Sequence, residues 1–431
     1  MCACMQKIKF FTLGCKVNQY DTQLLREKIL SDNNFQEVEN GDPADVYIIN
    51  TCTVTHSADN KSISFVRRAK KENPSATIIV TGCLTELDEL VIQKETPALI
   101  VKNKDKNRIV SWLNSSFNSR LDFSLGITYF KGHHRAFLKI QDGCDNFCSF
   151  CKIPLVRGKP TSKPLKQIIE EAKALIQNNY KEIVLCGVCL GSFGKDLSIP
   201  LELIDVLEEL DKLEGEFRLR LSSLEGWQIN DNFINRIDKI KRLCPHFHIP
   251  LQSGDEKILK LMNRPIHPQK YLEIISALKE KLPLLTVTTD VLIGFPQEAE
   301  ENFNNTLKLI QKIKPLKIHI FRYSVRAKTY ASLLKGRVAS YEVSKRLGIL
   351  KGIAQDISRE IKRSFLGKEL RVLFEFSFKE KPYIWQGYTD NYLKVNTQSK
   401  DDLSNKFCLV KLESLKGDIL SGTDAIFVDK I

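Results

Sequence analysis

The chain has 431 residues, 42% of them apolar, and its 65 basic and 52 acidic side chains give a formal net charge of +13. A chain of this length is expected to form two or three domains, each with a hydrophobic core. No run approaches the roughly 20 apolar residues of a transmembrane helix, and the N-terminus lacks the apolar segment of a secretory signal. These features argue against a membrane or secreted protein and predict a cytoplasmic one. The positive charge indicates either a nucleic-acid partner or ordinary solubility.

Predicted strands and helices alternate along residues 7–112. Strands are predicted at 9–13, 45–50 and 76–80, and helices at 21–30 and 58–72. Continuous β-branched runs of this kind are typical of strands buried in a parallel sheet. We therefore expect an N-terminal parallel α/β domain over residues 6–118.

A cysteine follows each of these three predicted strands: Cys15, Cys52 and Cys83. Because the carboxyl ends of parallel strands face one crevice, the three thiols are expected to converge at one edge of the sheet. Three convergent thiols predict an iron–sulfur cluster with one iron left open. The alternative is that these cysteines only fill space at the strand ends, as buried cysteines often do.

A second series of β–α units begins at residue 136. Strands are predicted at 136–140, 182–185, 217–221, 246–251, 285–290 and 316–321, with helices such as 165–178 and 268–281 between them. Repeated β–α units predict a parallel sheet, and six units are too few for a closed eight-stranded barrel. We expect a partial (β/α)6 barrel over residues 130–361. In the connection at 103–135, His133 and His134 are expected to be solvated rather than metal-bound.

The loop after the first of these strands contains Cys144, Cys148 and Cys151, with the spacing Cys-x3-Cys-x2-Cys. Three thiolates on one short loop are suited to three irons of a [4Fe–4S] cluster, which leaves the fourth iron open to a non-cysteine ligand. The alternatives are a zinc knuckle or buried structural thiols. Structural zinc sites usually have two ligand pairs, and no second pair follows at that spacing.

The C-terminal part changes character after a predicted charged helix at 339–363. Alternating strand patterns occur at 370–376, 392–396 and 407–412. They predict a small antiparallel β-barrel over residues 364–431. A predicted loop at 387–392 carries Tyr388 and Tyr392, and aromatic and basic barrel faces often bind RNA. The alternative is an inert C-terminal cap.

Together these motifs resemble those of a known family. The Cys144 loop at the start of a partial barrel is similar to that of the radical S-adenosylmethionine enzymes. The Gly-Cys, Asn-Thr-Cys and Thr-Gly-Cys motifs that end at Cys15, Cys52 and Cys83 resemble those of the methylthiotransferases, and the C-terminal barrel resembles their TRAM domain. Further similar runs lie at 222–225, 248–254 and 289–296.

The run at 13–22, Leu-Gly-Cys-Lys-Val-Asn-Gln-Tyr-Asp-Thr, resembles the branch that acts on threonylcarbamoyl-adenosine at position 37 of tRNA. The run Asn-Thr-Cys-Thr-Val-Thr at 50–55 agrees with that branch. Relatives that act on isopentenyl-adenosine typically have Gly-Cys-Gln-Met-Asn in the first position, and those that modify a ribosomal protein differ after the cysteine. A non-catalytic RNA-binding iron–sulfur protein is the remaining alternative, and the intact Cys144 loop argues against it.

The resemblance implies a mechanism. S-adenosylmethionine would bind the open iron of a [4Fe–4S] cluster and be cleaved to a radical that removes hydrogen from C2 of adenine. A second [4Fe–4S] cluster would deliver sulfur, and a second S-adenosylmethionine would supply the methyl group. The implied partners are the tRNA anticodon loop, a reductant protein and a sulfur donor. The implied ligands are the catalytic set Cys144, Cys148 and Cys151 and the sulfur-delivering set Cys15, Cys52 and Cys83.

Four residues at predicted strand ends are candidate cofactor contacts, although a structural role remains open for each: Gly187, Ser223, Glu225 and Asp290. Cys186 and Cys189 mimic a redox Cys-x-x-Cys motif but are expected to be packing residues. No role is assigned to the remaining cysteines, Cys2, Cys4, Cys244 and Cys408.

The chain departs from the family pattern at two turns. Gly-Phe-Pro-Gly-Glu-Thr is replaced at 294–299 by a run with Gln297 at the second glycine. Tyr-Ser-x-Arg-x-Gly-Thr is replaced at 323–329 by a run with Lys328 at the glycine. The shapes of these two turns are therefore open, whereas all six candidate ligands are present.

Overall fold

The computed structural model describes residues 5–31, 34–39, 41–87, 89–113, 126–378 and 380–427. Cys2 and Cys4, and residues 114–118 at the end of the predicted N-terminal domain, lie outside the described residues. No helix in the described part of the chain combines the length and the apolar character that crossing a membrane requires.

The N-terminal unit is a five-stranded parallel sheet with strand order β2-β1-β3-β4-β5. The predicted parallel α/β organisation is confirmed. Every residue of β3 is buried because helices cover both faces of the sheet. The elements are β1 (Gln6–Thr12), α1 (Lys16–Leu30), β2 (Phe35–Glu37), β3 (Val46–Thr51), α2 (His56–Glu72), β4 (Thr77–Gly82), α3 (Glu89–Gln93), β5 (Leu99–Ile100) and α4 (Asn107–Leu113).

The central unit contains six parallel strands in an open arc, which confirms the predicted partial barrel. Two three-stranded sheets, β6-β9-β10 and β11-β12-β13, are joined by parallel bridges between Leu219 and Leu243 and between Ser223 and His248. The strands are β6 (Arg135–Lys139), β9 (Glu182–Cys186), β10 (Arg218–Leu221), β11 (His246–His248), β12 (Thr286–Ile293) and β13 (Lys317–Arg322), with the short hairpin β7 (Gln141–Asp142) and β8 (Thr161–Ser162).

Helices pack around the outside of this arc, and one large apolar cluster fills the space between helices and strands. The long helix α12 leads to the C-terminal unit. The helices are α5 (Ile153–Arg157), α6 (Leu165–Gln177), α7 (Leu203–Asp211), α8 (Asp231–Arg236), α9 (Glu256–Leu261), α10 (Pro268–Lys281), α11 (Glu300–Ile313) and α12 (Ser340–Arg363).

The C-terminal unit is a closed five-stranded barrel with order β14-β15-β16-β18-β17, as predicted in outline. Four neighbouring strand pairs are antiparallel, whereas β16 and β18 pair in parallel. The predicted loop at 387–392 is wrong in its first half, because Gly387 is paired with Phe374 inside β15. The strands are β14 (Glu369–Phe378), β15 (Lys381–Thr389), β16 (Lys394–Gln398), β17 (Phe407–Lys416) and β18 (Ile419–Phe427).

A buried ion group joins the central and C-terminal units. The Glu182 carboxylate, which is fully buried, pairs with Arg218 at 2.6 Å and with Arg220 at 2.7 Å. Burial opposes ionisation of Glu182, but the two guanidinium groups outweigh it and hold the pKa of this carboxyl well below its usual range. Arg218 also pairs with Asp390 of the C-terminal barrel at 2.7 Å. The C-terminal barrel is therefore fixed to the strands of the central unit.

Candidate metal centres and the cavity beside them

The loop of Cys144, Cys148 and Cys151 is shaped by backbone hydrogen bonds. The Cys144 amide donates to the Gly158 carbonyl at 3.0 Å, and the Cys151 amide donates to the Cys148 carbonyl at 2.9 Å. Gly143, with φ of +74°, precedes the loop, and a Cβ there would lie 2.0 Å from the Lys159 carbonyl oxygen. The cysteine loop therefore closes tightly after a position that requires glycine.

The far side of this loop rests on the segment after α9. The Ser149 amide donates to the Met262 carbonyl at 2.9 Å, and the Asn263 amide group donates to the carbonyls of Asn146 and Phe147 at 3.1 and 3.0 Å. These contacts hold the loop on the barrel.

Arg264 is a buried cation that contacts this loop. Its guanidinium donates to the Cys148 Sγ at 3.8 Å, pairs with the Glu225 carboxylate and donates to the Pro250 carbonyl at 2.9 Å. It also lies 4.6 Å from the centre of the Trp227 ring. Glu225, a predicted cofactor contact, is thus held beside Cys148 by an arginine that sequence reasoning missed.

The thiols of this loop are suited to a cationic metal group. Burial raises the pKa of Cys148 and raises the pKa of Cys151 to about 12, and the neighbouring Cys148 thiol adds to the shift of Cys151. A hydrogen bond with Cys189, followed by burial, raises the pKa of Cys144. Metal ions remove this cost because they neutralise the thiolates they bind. The soft donor set and its single short loop therefore fit an iron–sulfur cluster.

The three strand-end cysteines lie where the sequence predicts them. Cys15 is the N-cap of α1, Cys52 directly follows β3, and Cys83 begins a 3-10 turn directly after β4. Cys15 is exposed, and its side chain makes no capping hydrogen bond, whereas Cys52 and Cys83 are buried. Burial, assisted by the Cys83 and Cys15 thiols, raises the pKa of Cys52 to about 11. This second set of free thiols also fits a cationic metal cluster.

Asn18 binds two of the three strand-end loops together. Its side-chain amide donates to the Leu13 carbonyl at 2.7 Å and to the Thr51 carbonyl at 2.9 Å. Asn18 thereby fixes the loop of Cys15 against that of Cys52. The third loop is tied in by Thr51, whose hydroxyl donates to the Thr81 carbonyl at 2.6 Å.

A buried ion group around Asp21 connects the strand-end cysteines to the central unit. Asp21 pairs with Lys106 at 2.8 Å, with Lys139 of β6 and with Arg157 of α5 at 3.1 Å. Burial alone would raise the pKa of Asp21, but these three cations outweigh it and hold the pKa well below its usual range. Burial raises the pKa of the Cys83 thiol, and Arg157 opposes that shift through charge and a hydrogen bond. One arginine of the central unit therefore reaches a predicted ligand of the N-terminal unit.

A second contact between these units uses one of the departing turns. Arg326 is buried, pairs with Asp59 at 2.8 Å and donates to the Thr53 carbonyl at 2.7 Å, one residue after Cys52. Gln297 and Lys328, which replace the glycines, both have φ of +67°. The turns thus keep the left-handed conformation that glycine adopts most easily.

A cavity of about 450 Å³ lies between the N-terminal unit, the mouth of the partial barrel and the C-terminal barrel. Cys15 lines it together with three of the four predicted cofactor contacts, Gly187, Ser223 and Asp290. The structure therefore brings an exposed strand-end thiol to the same space as residues at the carboxyl ends of barrel strands, where active sites of such folds lie.

A polar cluster forms part of the cavity wall. His248 Nε2 lies 3.3 Å from Asp290 Oδ1, and the ligand atoms of His248, Asp290 and His319 all lie within 4.8 Å of one another. Burial lowers the pKa of His319. Asp290 is therefore held in place by a histidine of the neighbouring strand.

The predicted RNA-stacking tyrosines face the central unit instead of standing free. Tyr392 lines the cavity, and its ring stacks on His246 at 4.4 Å and on Tyr388 at 5.0 Å between ring centres. His133 is exposed and lines the cavity beside Phe137. The C-terminal barrel therefore forms one wall of the cavity.

Cys186 and Cys189 differ in their surroundings. Cys186 is fully buried, and burial raises its pKa well above its usual range, as for a packing residue. Cys189 is also buried, but its sulfur accepts from Asn146 at 3.3 Å and from Gln228 at 3.0 Å, and its pKa is lowered mainly by the hydrogen bond with Cys144. Cys189 is thus in polar contact with the Cys144 loop. The prediction that it is only a packing residue is therefore incomplete.

Comparisons with known proteins agree with this arrangement. The Radical SAM superfamily matches residues 138–310, and the Uncharacterized protein family UPF0004 matches residues 7–102. The fold is similar to a radical S-adenosylmethionine methyltransferase, TsrM from Kitasatospora setae, solved with cobalamin and a [4Fe-4S] cluster bound. The TM-score is 0.56, with 8% identity over 77% of each chain. Fold and sequence thus define a radical S-adenosylmethionine protein.

Full-length relatives narrow the class. Threonylcarbamoyladenosine tRNA methylthiotransferase MtaB of Bacillus subtilis is 35% identical over 429 residues, which cover 95% of this chain and 94% of that protein. The tRNA-2-methylthio-N(6)-dimethylallyladenosine synthase of Staphylococcus epidermidis is 31% identical over 432 residues, which cover 96% of this chain and 84% of that protein. The chain belongs to the family of radical S-adenosylmethionine tRNA methylthiotransferases.

Proposed function

We propose that this protein replaces the hydrogen at C2 of N6-threonylcarbamoyladenosine-37 in tRNA by a methylthio group. The observation that supports this most strongly is the position of Cys15, which shares a cavity with Ser223 and Asp290 at the mouth of the barrel. The Cys144 loop opens the same barrel after β6. A radical generator and a sulfur donor would therefore serve one space.

The cysteines would hold two [4Fe–4S] clusters, the first on the barrel loop and the second at the strand ends. With S-adenosylmethionine bound, these groups supply the radical that removes an aromatic hydrogen, and the sulfur and methyl group that replace it. The ligands would be Cys144, Cys148 and Cys151 for the first cluster and Cys15, Cys52 and Cys83 for the second.

The protein's own side chains would position and enclose the reactants. Glu225, fixed by Arg264, lies beside Cys148 and is suited to a polar group of the nucleoside cofactor. Asp290, fixed by His248, offers a second polar contact inside the cavity. Walls from three units surround this space and would limit the access of water once RNA is bound, which would protect a reactive radical.

The RNA part of the proposal rests on charge and access. The net charge of +13 attracts a polyanion, and the target base must leave its stack to reach a cavity of this kind.

We further assign the domains to residues 6–118, 130–361 and 364–431. We place the protein in the cytoplasm and expect a reductant protein and a sulfur donor as its remaining partners.

Nucleoside mass spectrometry of tRNA from cells with and without this gene tests the substrate. We expect the methylthio form of threonylcarbamoyladenosine to disappear and the unmethylthiolated form to accumulate. Loss of the methylthio form of dimethylallyladenosine instead would overturn the assignment in favour of the activity named for the Staphylococcus epidermidis relative.

A further inference from the structure

Lys16 lies in the cavity directly beside Cys15. It is exposed at the first position of α1. Its Nζ lies 6.0 Å from the centre of the Phe137 ring, another part of the cavity wall. The ammonium group therefore faces the space that an occupant of the cavity would fill.

The other permanently charged basic groups on the cavity wall, and one of its histidines, already have carboxylate partners. Within the described part of the chain, no aspartate or glutamate forms an ion pair with Lys16. Lys16 is therefore the wall cation with capacity for an added anion. The occupied pairs are Arg135–Glu375 at 2.7 Å, Arg220–Glu182 at 2.7 Å and His248–Asp290 at 3.3 Å.

The remaining histidines of the wall do not compete for this role. The first cause of the lowered pKa is partial burial of the ring in His133 and His319 and nearly complete burial in His246, and nearby cations lower each pKa further. The lowered pKa favours the neutral imidazole at pH 7, and His246 makes a hydrogen bond with the Thr288 hydroxyl at 3.1 Å, whereas His133 and His319 make ring contacts with Phe130 and His248.

The proposed substrate carries a carboxylate that could pair with the Lys16 ammonium group. Threonine is joined to N6 through its amino group and a carbonyl, so its carboxylate remains free and charged at pH 7. C2 and N6 lie on the same edge of adenine, on either side of N1. A group that recognises the N6 substituent must therefore lie close to the group that acts at C2, and Lys16 directly follows Cys15.

We propose that Lys16 binds the threonyl carboxylate and determines specificity for an adenosine with a charged N6 substituent. This inference rests on the proposed function. A lysine ammonium has three donors on a flexible stem and recognises a carboxylate as a compact charge. An uncharged isopentenyl group would leave this ammonium unpaired and, where it covers the ammonium, would remove water from it without compensation.

The test compares two substrates in wild type and Lys16→Gln. One anticodon stem-loop RNA carries threonylcarbamoyladenosine, and the other carries the same nucleoside with its carboxylate converted to the primary amide. For wild type we expect the amide to lower kcat/KM by about 10- to 100-fold, as for loss of a hydrogen bond between charged groups. Lys16→Gln should lower kcat/KM for the acid by a similar factor and show no further loss with the amide.

Four further measurements separate loss of substrate recognition from damage to the site. Cleavage of S-adenosylmethionine without RNA and the iron content should be unchanged in Lys16→Gln, and Lys16→Arg should restore most of the preference for the acid. The dissociation constant of each RNA, measured by fluorescence anisotropy, should rise wherever kcat/KM falls.

The inference is overturned if Lys16→Gln keeps the wild-type preference for acid over amide. A wild-type enzyme that methylthiolates neither RNA, but acts on an RNA with dimethylallyladenosine, would overturn the proposed function itself. That result needs no variant and is therefore distinguishable from failure of the Lys16 assignment.

Discussion

Cys144, Cys148 and Cys151 come from one short loop, whereas Cys15, Cys52 and Cys83 come from three loops that the sheet brings together. The first set is positioned by hydrogen bonds within its loop and to the segment after α9. The second set depends on strand register, on the Asn18 side chain and on the Asp21 ion group between units. The difference teaches that the placement of the strand-end cysteines depends on the whole fold, whereas the placement of the cysteines on the Cys144 loop depends on a local motif.

Removing one cysteine from each set should produce the largest and most different effects. Cys148→Ala should abolish formation of 5′-deoxyadenosine, whereas Cys52→Ala should retain it and lose only the methylthio product. Each reconstituted variant should hold about four irons, against about eight in wild type, because one four-iron cluster is lost. Cys408→Ala, in the core of the C-terminal barrel, is the matched control and should keep iron and activity. Retention of about eight irons in Cys52→Ala would refute the second cluster.

Asp21→Asn should test the dependence of the second set on the fold. It removes the carboxylate that pairs with buried Lys106 and leaves Lys139 and Arg157 with Asp142 alone, so we expect the free energy of unfolding to fall by about 3–5 kcal/mol, measured by urea denaturation. Asp238→Asn removes an exposed pair at 3.6 Å and should cost below about 1 kcal/mol. Equal effects of the two changes would contradict the role assigned to the Asp21 group.

The same ion group predicts a dependence on pH. The pKa of Asp21 is lowered in the folded state, so its contribution is complete above the unfolded value of about 4 and is lost as the pH falls below it. The difference in unfolding free energy between wild type and Asp21→Asn should therefore shrink below about pH 4. A constant difference from pH 7 to pH 3 would show that charge is not its cause.

Arg264→Lys should act on the first set alone. A lysine cannot reproduce the contacts to Cys148, Glu225 and the Pro250 carbonyl at once. Because side chains that orient metal ligands typically contribute 10- to 100-fold, we expect the initial rate of S-adenosylmethionine cleavage to fall by about that factor. Arg236→Lys, in an ion pair with Asp205 and Glu208 outside the cavity, should leave the rate unchanged.

Lys328→Gly should have the smallest effect, and in the opposite direction. A lysine with φ of +67° is strained by roughly 1–2 kcal/mol, and glycine relieves this at a smaller cost in the unfolded chain. We expect the free energy of unfolding, measured by thermal denaturation, to rise by about 1 kcal/mol. Lys351→Gly, at an exposed position inside α12, should lose about 1 kcal/mol. A loss at both positions would contradict the strain.

Strand and helix order was predictable because the hydrophobic patterns repeat with the periods of strands and helices. The ends of α6 and α10, at Gln177 and Lys281, agree with the sequence prediction within one residue. The strand-end positions of Cys15, Cys52 and Cys83 were predictable for the same reason. The parallel pair of β16 and β18 was not, because it depends on barrel closure between distant segments.

Residues that act across units escaped the sequence analysis. Arg264 and Arg157 reach predicted ligands only through tertiary contacts, and no local pattern separates them from the many other basic residues. Asn18 could have been found from the sequence, because it lies three residues after Cys15 in the same short motif. Its side chain donates a hydrogen bond to the Leu13 carbonyl in the Cys15 loop. Tyr388 and Tyr392 were noticed for their aromatic character, but which surface they face follows from docking of the barrel.

The buried pairing of Arg218 with Glu182 and Asp390 has a consequence for which nucleotide of a bound RNA could reach the cavity. The C-terminal barrel does not move independently of the central unit, since its residue Asp390 is ion-paired to Arg218 of β10, which also pairs with Glu182 of β9. Under the proposed function, an RNA bound to that barrel would be held at a fixed distance from Cys15. Only a nucleotide at that distance from the bound segment would reach the cavity, so the fold itself would select the position that is modified.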